Sequence, residues 1–461
     1  MNQQHDSHFD VIVLGGGSAG YATSLRCAQL GLRVALVERD RLGGTCLHAG
    51  CIPTKAMLHV AEVAEEIRGS DALGLLSTLD GVDVPGMQAF KAGIVARLYR
   101  GLQGLIEMQD NIVLVSGNGT LVDSTTVSVD GRHLSAAHIV LATGSAPRLL
   151  PNIPATGRVL TSESALELDV VPDSVVIIGG SVIGVEFASA WRSLGAEVTI
   201  VEALSTIVPL EDPSVSKQLG RAFRKRKIAV RAGVGVADVE QDDTGATVVL
   251  QDGARITAEY VLVAIGRGPV TEGLGLDAVG VTTERGWVLT DERLRTSIEG
   301  VYAVGDLVPG PQLAHRGFAH GIFVAEQIAG SNPEPVVDST LPRVTYCDPE
   351  ITSVGLTEPE AREIHGDSVT VQEYNLAGNG KSQVLRTTGF VKLVSDSDGR
   401  IIGVHMVGAR MGEQAGEAGL MVHLGLRVED LARVVHAHPT QNEALGEALL
   451  ALAGKPLHSH P

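Results

Sequence analysis

The sequence predicts an α/β chain in which one strand–turn–helix–strand unit is set inside another of the same kind, followed by a smaller α+β domain. Three observations predict it: a glycine-rich turn between two apolar strand runs, its return at constant spacing, and a change of pattern after Leu341. At 461 residues the chain has room for about three domains and for a large buried ligand.

Asp10 to Leu14 is an apolar run of strand length that ends in Gly15-Gly16-Gly17-Ser18-Ala19-Gly20. Tyr21 to Leu30 then reads as a helix, Gly31 breaks it, and Arg33 to Val37 forms a second strand closed by Glu38. The glycines allow a tight turn, close approach of backbone to a pyrophosphate and helix packing, while a terminal acid suits a ribose hydroxyl. Strand, helix, strand and acid in that order are the fingerprint of a Rossmann-like dinucleotide-binding domain. The unit returns from Ser174 to Glu202, with Gly179, Gly184, Gly195 and Glu202 each 164 residues after Gly15, Gly20, Gly31 and Glu38. Two dinucleotides are therefore expected. Ser181 takes the place of Gly17, where a side chain is expected to crowd a phosphate, with Gly180 beside it to relieve the crowding.

A further strand, Ile139 to Gly144, is matched by Tyr260 to Gly266. The offset has dropped from 164 to 122, so the first copy carries 42 extra residues between its acid and this strand. That excess contains a cysteine-bearing stretch and two helical segments at about 55–68 and 88–109, an insertion into the first nucleotide domain. Pro147, Pro151, Pro154 and Pro172 mark a domain boundary. Gly300 to Asp306, again a strand ending in glycine and an acid, reads as a return to the first domain. The expected division is 1–147 for the first nucleotide domain, 148–272 for the second, 273–341 for the return and 342–461 for the third domain. In the last, Gly389 to Val394 and Ile401 to Val407 read as strands, and Gly412 to Leu424, Val428 to Val435 and Ala444 to Ala453 as helices.

The stretch Gly43 to Lys55 holds two of the four cysteines. Along a regular helix Cys46 and Cys51 would lie beyond the roughly 7 Å between Cα atoms that a disulfide tolerates. They bond only where the backbone between them leaves the helix, which Gly43, Gly44 and Gly50 permit. Pro53 suits the first turn of a following helix, so Cys51 is placed at an N-terminus whose dipole favours a thiolate. A structural disulfide and a metal site are the alternatives. The first belongs to oxidising compartments and the second asks for more ligands at the right spacing, so a redox pair is the preferred reading and no metal is expected. Cys27 and Cys347 read as small core residues.

The chain has 36 Lys and Arg against 54 Asp and Glu, a net charge of −18 that no basic run is long enough to offset. That balance argues against nucleic acid or an anionic membrane as partner and suits a basic protein segment. No apolar run reaches the roughly 18 residues of a membrane span, and MNQQHDSHFD has neither a basic start nor an apolar core. A cytoplasmic protein is the expectation.

Together with the closing His436-Ala437-His438-Pro439-Thr440-Gln441-Asn442-Glu443, these motifs resemble the class I pyridine nucleotide-disulfide oxidoreductase family from about Phe9 to Leu457. Within it they resemble the branch that oxidises dihydrolipoamide. The resemblance implies FAD in the first domain, its pyrophosphate on Gly15, Gly17, Ser18, Ala19 and Gly20, a ribose on Glu38 and the ribityl chain on Asp306. Gly44, Thr45, Lys55, Thr143, Gly144, Ser145 and Gly305 are implied around it, and Leu313, Ala314 and His315 start a helix whose positive end faces the flavin. It implies NAD on Gly179, Gly180, Ser181, Gly184, Glu202, Gly266 and Arg267. It further implies that Cys46 exchanges with a dithiol, that Cys51 is the charge-transfer thiolate, that His438 is the base oriented by Glu443, and that Lys55 pairs with Glu186. The third domain is implied to form a homodimer and to send its histidine into the partner's site. The implied partners are lipoyl domains and a basic subunit-binding segment of a 2-oxoacid dehydrogenase complex.

His48 replaces the family's usual asparagine, Cys347 its threonine and Asn442 its serine. Among fifteen histidines, His315, His320, His436, His458 and His460 read by default as surface or packing residues. Two other functions compete. A reductase of glutathione- or mycothiol-type disulfides would use NADPH, but Glu202 repels a 2′-phosphate, Val201 and Ala203 supply no arginine, and the tail Lys455 to Pro461 lacks the cysteine pair of mercuric and large thioredoxin reductases. A non-catalytic, NADH-sensing flavoprotein would need neither the cysteine pair nor the His–Glu pair.

Overall fold

The structure, a computed structural model, describes residues 7–458; the tail histidine His460 lies outside the described residues. The chain divides into two compact units. One comprises residues 7–56, Gln88–Arg148 and Arg267–Asp338, the other Met57–Met87, Leu149–Gly266 and residues 339–458.

In chain order the first unit begins with β1 (His8–Leu14), α1 (Ser18–Gln29) and β2 (Val34–Glu38). α2 (Gly44–His48), α3 (Cys51–Arg68) and α4 (Val84–Glu107) follow, then β3 (Ile112–Ser116) and an antiparallel meander of β4 (Gly119–Leu121), β5 (Thr126–Val129) and β6 (Arg132–Leu141). The sheet runs β3-β2-β1-β6, with β1 parallel to β2 and to the end of β6. Its central strands are covered on both faces, hence the unbroken apolar run Val11 to Leu14. α3 starts at Cys51 with Pro53 in its first turn, as the sequence places it, because a proline there lacks only an N–H that would be unsatisfied anyway. Met57 and Ala61, on its later turns, pack into the core of the second unit.

After β7 (Ser145–Pro147) the second unit repeats the plan with β8 (Val159–Leu160), α5 (Ser162–Ala165), β9 (Ser174–Ile178), α6 (Val182–Leu194), β10 (Glu197–Glu202), α7 (Pro213–Lys225) and β11 (Ala229–Ala232). β12 (Val236–Gln241), β13 (Ala246–Leu250) and β14 (Arg255–Ala258) form a separate antiparallel sheet, and β15 (Tyr260–Val263) completes the parallel order β11-β10-β9-β15-β8. The chain then returns to the first unit. There β16 (Arg267–Pro269) pairs with β7, followed by α8 (Leu276–Val279) and the hairpin β17 (Thr283–Glu284) and β18 (Trp287–Val288). β19 (Val301–Ala303) joins the first sheet beside β6, and α9 (Ala314–Ile328) crosses α1 so closely that a methyl on Gly321 would stand 2.5 Å from the Ala19 carbonyl.

The C-terminal part contains β20 (Arg343–Thr345), β21 (Glu350–Gly355), α10 (Glu358–His365), β22 (Thr370–Asn375), α11 (Gly380–Val384), β23 (Phe390–Ser395) and β24 (Ile401–Gly408). Its antiparallel sheet runs β20-β21-β24-β23-β22. α12 (Ala415–His423), α13 (Val428–Leu431) and α14 (Glu443–Leu452) bury Met421, Leu431, Leu445 and Leu449 with Leu393 and Met406 of the sheet. The helix expected over Val428 to Val435 stops at Leu431. Arg433 and Val434 bond back three residues, to Asp430 and Leu431, a tightened last turn, and Val434 and Val435 are both β-branched.

Candidate active site

The two glycine turns are built alike. Gly15 has φ +102° and Gly179 φ +109°. A methyl on Gly20 would lie 1.7 Å from the Gly15 carbonyl oxygen, and one on Gly184 1.9 Å from that of Gly179, so only hydrogen fits where helix meets strand. Gly16 donates its N–H to Glu38 Oε2 at 2.7 Å while its carbonyl accepts from Gly43 N. Gly180 donates to Glu202 Oε2 at 2.7 Å and accepts from Val208 N. The acids thus brace the turns, and each carboxylate oxygen keeps acceptor capacity for a ribose hydroxyl. Gly17 precedes α1 and Ser181 precedes α6 as N-caps, and neither makes a side-chain cap hydrogen bond, so the first N–H groups of both helices stay available at the positive dipole end. Ser181, at φ −88°, has the same extended conformation as Gly17 at −72°, so the backbone there does not require glycine.

The redox stretch breaks between α2 and α3, at Ala49 and Gly50, after Gly43 and Gly44 turn the chain with φ +100° and +56°. Cys51 is the first residue of α3. The Cys46 and Cys51 side chains stand within hydrogen-bonding reach of each other, the proximity that a redox pair requires. The Cys46 thiol is pushed up by that hydrogen bond and by burial, and drawn partly back by Lys55 and the Ser18 hydroxyl. Cys46 therefore keeps its proton and donates it towards Cys51, whose position at a helix start favours negative charge. Tyr21, which the sequence did not single out, lies beside the pair; burial and then the two cysteines raise its hydroxyl to about 12. His48 donates Nε2–H to the Leu42 carbonyl at 2.8 Å and meets Tyr99 edge to face.

In the same unit Ser145 Oγ donates to Asp306 Oδ2 at 2.7 Å, and Arg267 reaches Ser145 Oγ at 2.8 Å and its carbonyl at 2.7 Å. Burial raises the Asp306 carboxyl, while Ser145, Arg267 and Arg316 draw it back. Arg267, expected at the second nucleotide with Gly266, thus shares a network with Asp306 and also approaches Thr45 Oγ1 at 3.4 Å. Gly144 has φ +72°, and Thr143 is held through its hydroxyl by the Val270 carbonyl. Gly305 N–H donates to Nδ1 of His320, a buried ring lowered to about 4 by burial and by Arg316, hence neutral. α9 starts at Ala314, after Leu313, again with no side-chain cap.

In the second unit His438 Nδ1 lies 2.8 Å from Glu443 Oε1, and Thr440 N–H donates to Glu443 Oε2 at 2.7 Å. An ionised carboxylate only accepts, so Nδ1 carries the hydrogen, and the side chain that presents Nε2 is 78% exposed. Although burial opposes it, the Thr440 N–H and His438 bring the Glu443 carboxyl below its usual range. Glu186, buried on α6, accepts from Tyr346 N at 2.9 Å, while Lys55 belongs to the first unit. The sequence reading missed two further acid–histidine pairs, Glu417–His436 at 2.9 Å and Glu447–His458 at 2.8 Å. Among the described residues no helix is long and apolar enough to cross a membrane, and no group of three or more His, Cys, Asp or Glu side chains is placed to hold a metal.

Residues 9–321 match the pyridine nucleotide-disulphide oxidoreductase family, and residues 341–449 match the dimerisation domain of the same family. The dihydrolipoyl dehydrogenase of Bacillus subtilis is 37% identical over 98% of this chain and 99% of its own, and that of Chlorobaculum parvum is 38% identical over 98% of each. The solved structure of LpdA from Mycobacterium tuberculosis superposes with a TM-score of 0.89 at 26% identity, over 96% of this chain and 99% of that one. Two glycine turns, a cysteine pair at a helix start and a histidine–glutamate pair thus occur in a chain that the family's two models match over most of its length: it belongs to the pyridine nucleotide-disulphide oxidoreductase family.

Proposed function

We propose that this chain oxidises protein-bound dihydrolipoamide with NAD⁺, passing the electron pair through Cys46 and Cys51 and FAD. The observation that carries the reading is the hydrogen-bonded pair at the break before α3, in the same unit as the first glycine turn. Relatives named dihydrolipoyl dehydrogenase along the whole chain supply the substrate class. The residues fit FAD: a methyl-free turn at Gly15 and Gly20, an uncapped α1, and a buried Asp306 whose oxygens can accept from hydroxyls. FAD, when bound, supplies a two-electron acceptor between dithiol and nicotinamide.

The protein's own part is thiol exchange and proton handling. His438 Nε2 takes a proton from the incoming dithiol, and the resulting thiolate attacks Cys46 Sγ of the oxidised pair. The Cys46–Cys51 bond breaks and Cys51 leaves as a thiolate stabilised by the start of α3. The second substrate thiol then attacks the first sulfur, releasing cyclic disulfide and Cys46, and the proton that the second thiol gives up passes to the departing Cys46 thiolate. Glu443 holds the imidazole in the tautomer that this requires. The dimerisation domain supports a homodimer in which His438 serves the partner's cysteines. Glu202 favours NAD⁺ over its 2′-phosphorylated form, and the net charge of −18 suits a basic docking segment of a lipoyl-bearing complex.

Anaerobic two-electron reduction of the FAD-loaded protein tests the assignment. A long-wavelength charge-transfer band is expected on reduction of the native protein, and already before reduction in Cys46→Ala, whose Cys51 is free beside an oxidised flavin; it is expected to be absent in Cys51→Ala. A band that survives Cys51→Ala overturns the role given to that sulfur.

A further inference from the structure

The loop that carries His438 holds that side chain clear of its own chain, 78% exposed. Its two ends meet at one side chain. Glu417, on α12, places Oε1 2.9 Å from His436 Nε2 and Oε2 2.6 Å from Asn442 Nδ2. His436 opens the loop and Asn442 closes it, immediately before Glu443. We propose that Glu417 is a positioning residue, a clasp that fixes both ends of the 436–442 loop and so sets where the His438–Glu443 pair stands.

Three further observations support the clasp. Gly446, on the first turns of α14, leaves the space that the His436 ring fills, since a methyl there would come 2.6 Å from Nδ1. The Glu417–His436 contact is an ion pair by character, with His436 raised chiefly by Glu417, and Glu417 lowered by His436 and Asn442 despite burial. Further anchors lie between the two ends: Asn379 Nδ2 donates to the Thr440 carbonyl at 3.1 Å, Gln441 Nε2 to that of Ala409 at 2.8 Å, and Ser382 Oγ to Gln441 Oε1 at 2.7 Å. They hold the C-terminal half of the loop, while His436 relies on Glu417. Asn442 adds to this because its amide reaches the second carboxylate oxygen.

The inference rests on His438 being the base, so its test separates the two claims. FAD-loaded wild type, Glu417→Ala, Glu417→Gln and Asn442→Ala are each reduced anaerobically, once with dihydrolipoamide and once with NADH. Only the first reaction uses the base. Loss of the clasp displaces the imidazole, and misplacement by about 1 Å is worth up to about a hundredfold. Glu417→Ala is therefore expected to slow reduction by dihydrolipoamide at least about tenfold, with Asn442→Ala intermediate and reduction by NADH within about twofold of wild type. Glu417→Gln, whose amide can accept from Asn442 and donate to His436, is expected to recover most of the rate. In histidine-labelled protein the Nδ1–H resonance of His438 bonded to Glu443 is expected to persist in Glu417→Gln and to be lost in Glu417→Ala, with no substrate present. An unperturbed resonance in Glu417→Ala, a glutamine variant as slow as the alanine one, or an equal fall in both reductions overturns the clasp. A wild type that NADH reduces and dihydrolipoamide does not would overturn the proposed substrate, while the resonance still decides the clasp.

Discussion

Gly184→Ala should separate the two dinucleotide sites. A methyl at this position would stand 1.9 Å from the Gly179 carbonyl oxygen, and both partners are backbone. Ordinary contact lies near 3.4 Å, so the start of α6 and the turn after β9 must part by about 1.5 Å. Overpacking of this kind costs about 1–3 kcal/mol. The strain falls on the N–H groups that would receive a pyrophosphate, so at about 1.4 kcal/mol per tenfold NAD⁺ affinity should fall roughly 5- to 150-fold. FAD should stay bound, because the first turn is built from separate strands and its own helix. Titration calorimetry of NAD⁺ into the FAD-loaded variant measures the loss, and the visible spectrum reports retained flavin. NAD⁺ affinity within about twofold of wild type, or loss of flavin in its place, would refute the reasoning. Gly20→Ala, with its methyl 1.7 Å from the Gly15 carbonyl, should do the reverse and yield colourless protein.

Lys392 is almost buried, with Asp212 Oδ1 and Glu358 Oε2 each 2.8 Å from its ammonium. Asp212 also caps α7. Burial opposes its charge, yet Lys392, Ser214 and the Glu358 N–H draw its carboxyl down to about 2. Its stabilising effect is therefore complete above the usual carboxylate range and is lost as pH falls towards 2. Lys392→Met leaves the buried Asp212 without its cation, while Glu358 keeps Arg362 at 2.8 Å, and should cost about 3–5 kcal/mol near neutral pH. That loss should shrink at pH 4, where the stranded Asp212 takes up a proton; an equal shift of the urea midpoint at both pH values would contradict this account. Refolding Cys46→Ser together with His438→Ala should restore roughly a quarter of native activity, since half the dimers are mixed and each mixed dimer has one intact site. No recovery, with mixed dimers confirmed by differential tagging, would place the histidine and cysteines of each site in one chain.

The nucleotide turns were legible because backbone geometry dictates the residue: nothing but glycine fits at Gly20 or Gly184, and the acid closing each strand is the one that binds the turn. The redox stretch was legible for a similar reason, since glycines and a proline reveal where helix must stop and start. Groups that the fold brings together from distant segments were less so. Glu417 meets His436 and Asn442 only after α12 and α14 pack on the same sheet, and nothing in the spacing of those residues announces it. Lys392 sits in an otherwise apolar strand and becomes intelligible only beside Asp212, which is remote in sequence. Arg267 directly follows Gly266 in the motif, yet its side chain turns to Ser145.

The central claim is the direction and the substrate of the electron flow. The FAD-loaded homodimer should be assayed in steady state with dihydrolipoamide and NAD⁺, and in parallel with NADPH and oxidised glutathione or mycothiol. Kcat/KM for the first pair is predicted to exceed that for any of the others by at least about a hundredfold, a differential of nearly 3 kcal/mol in transition-state stabilisation. Faster turnover of a low-molecular-weight disulfide with NADPH would contradict both the substrate and the role given to Glu202.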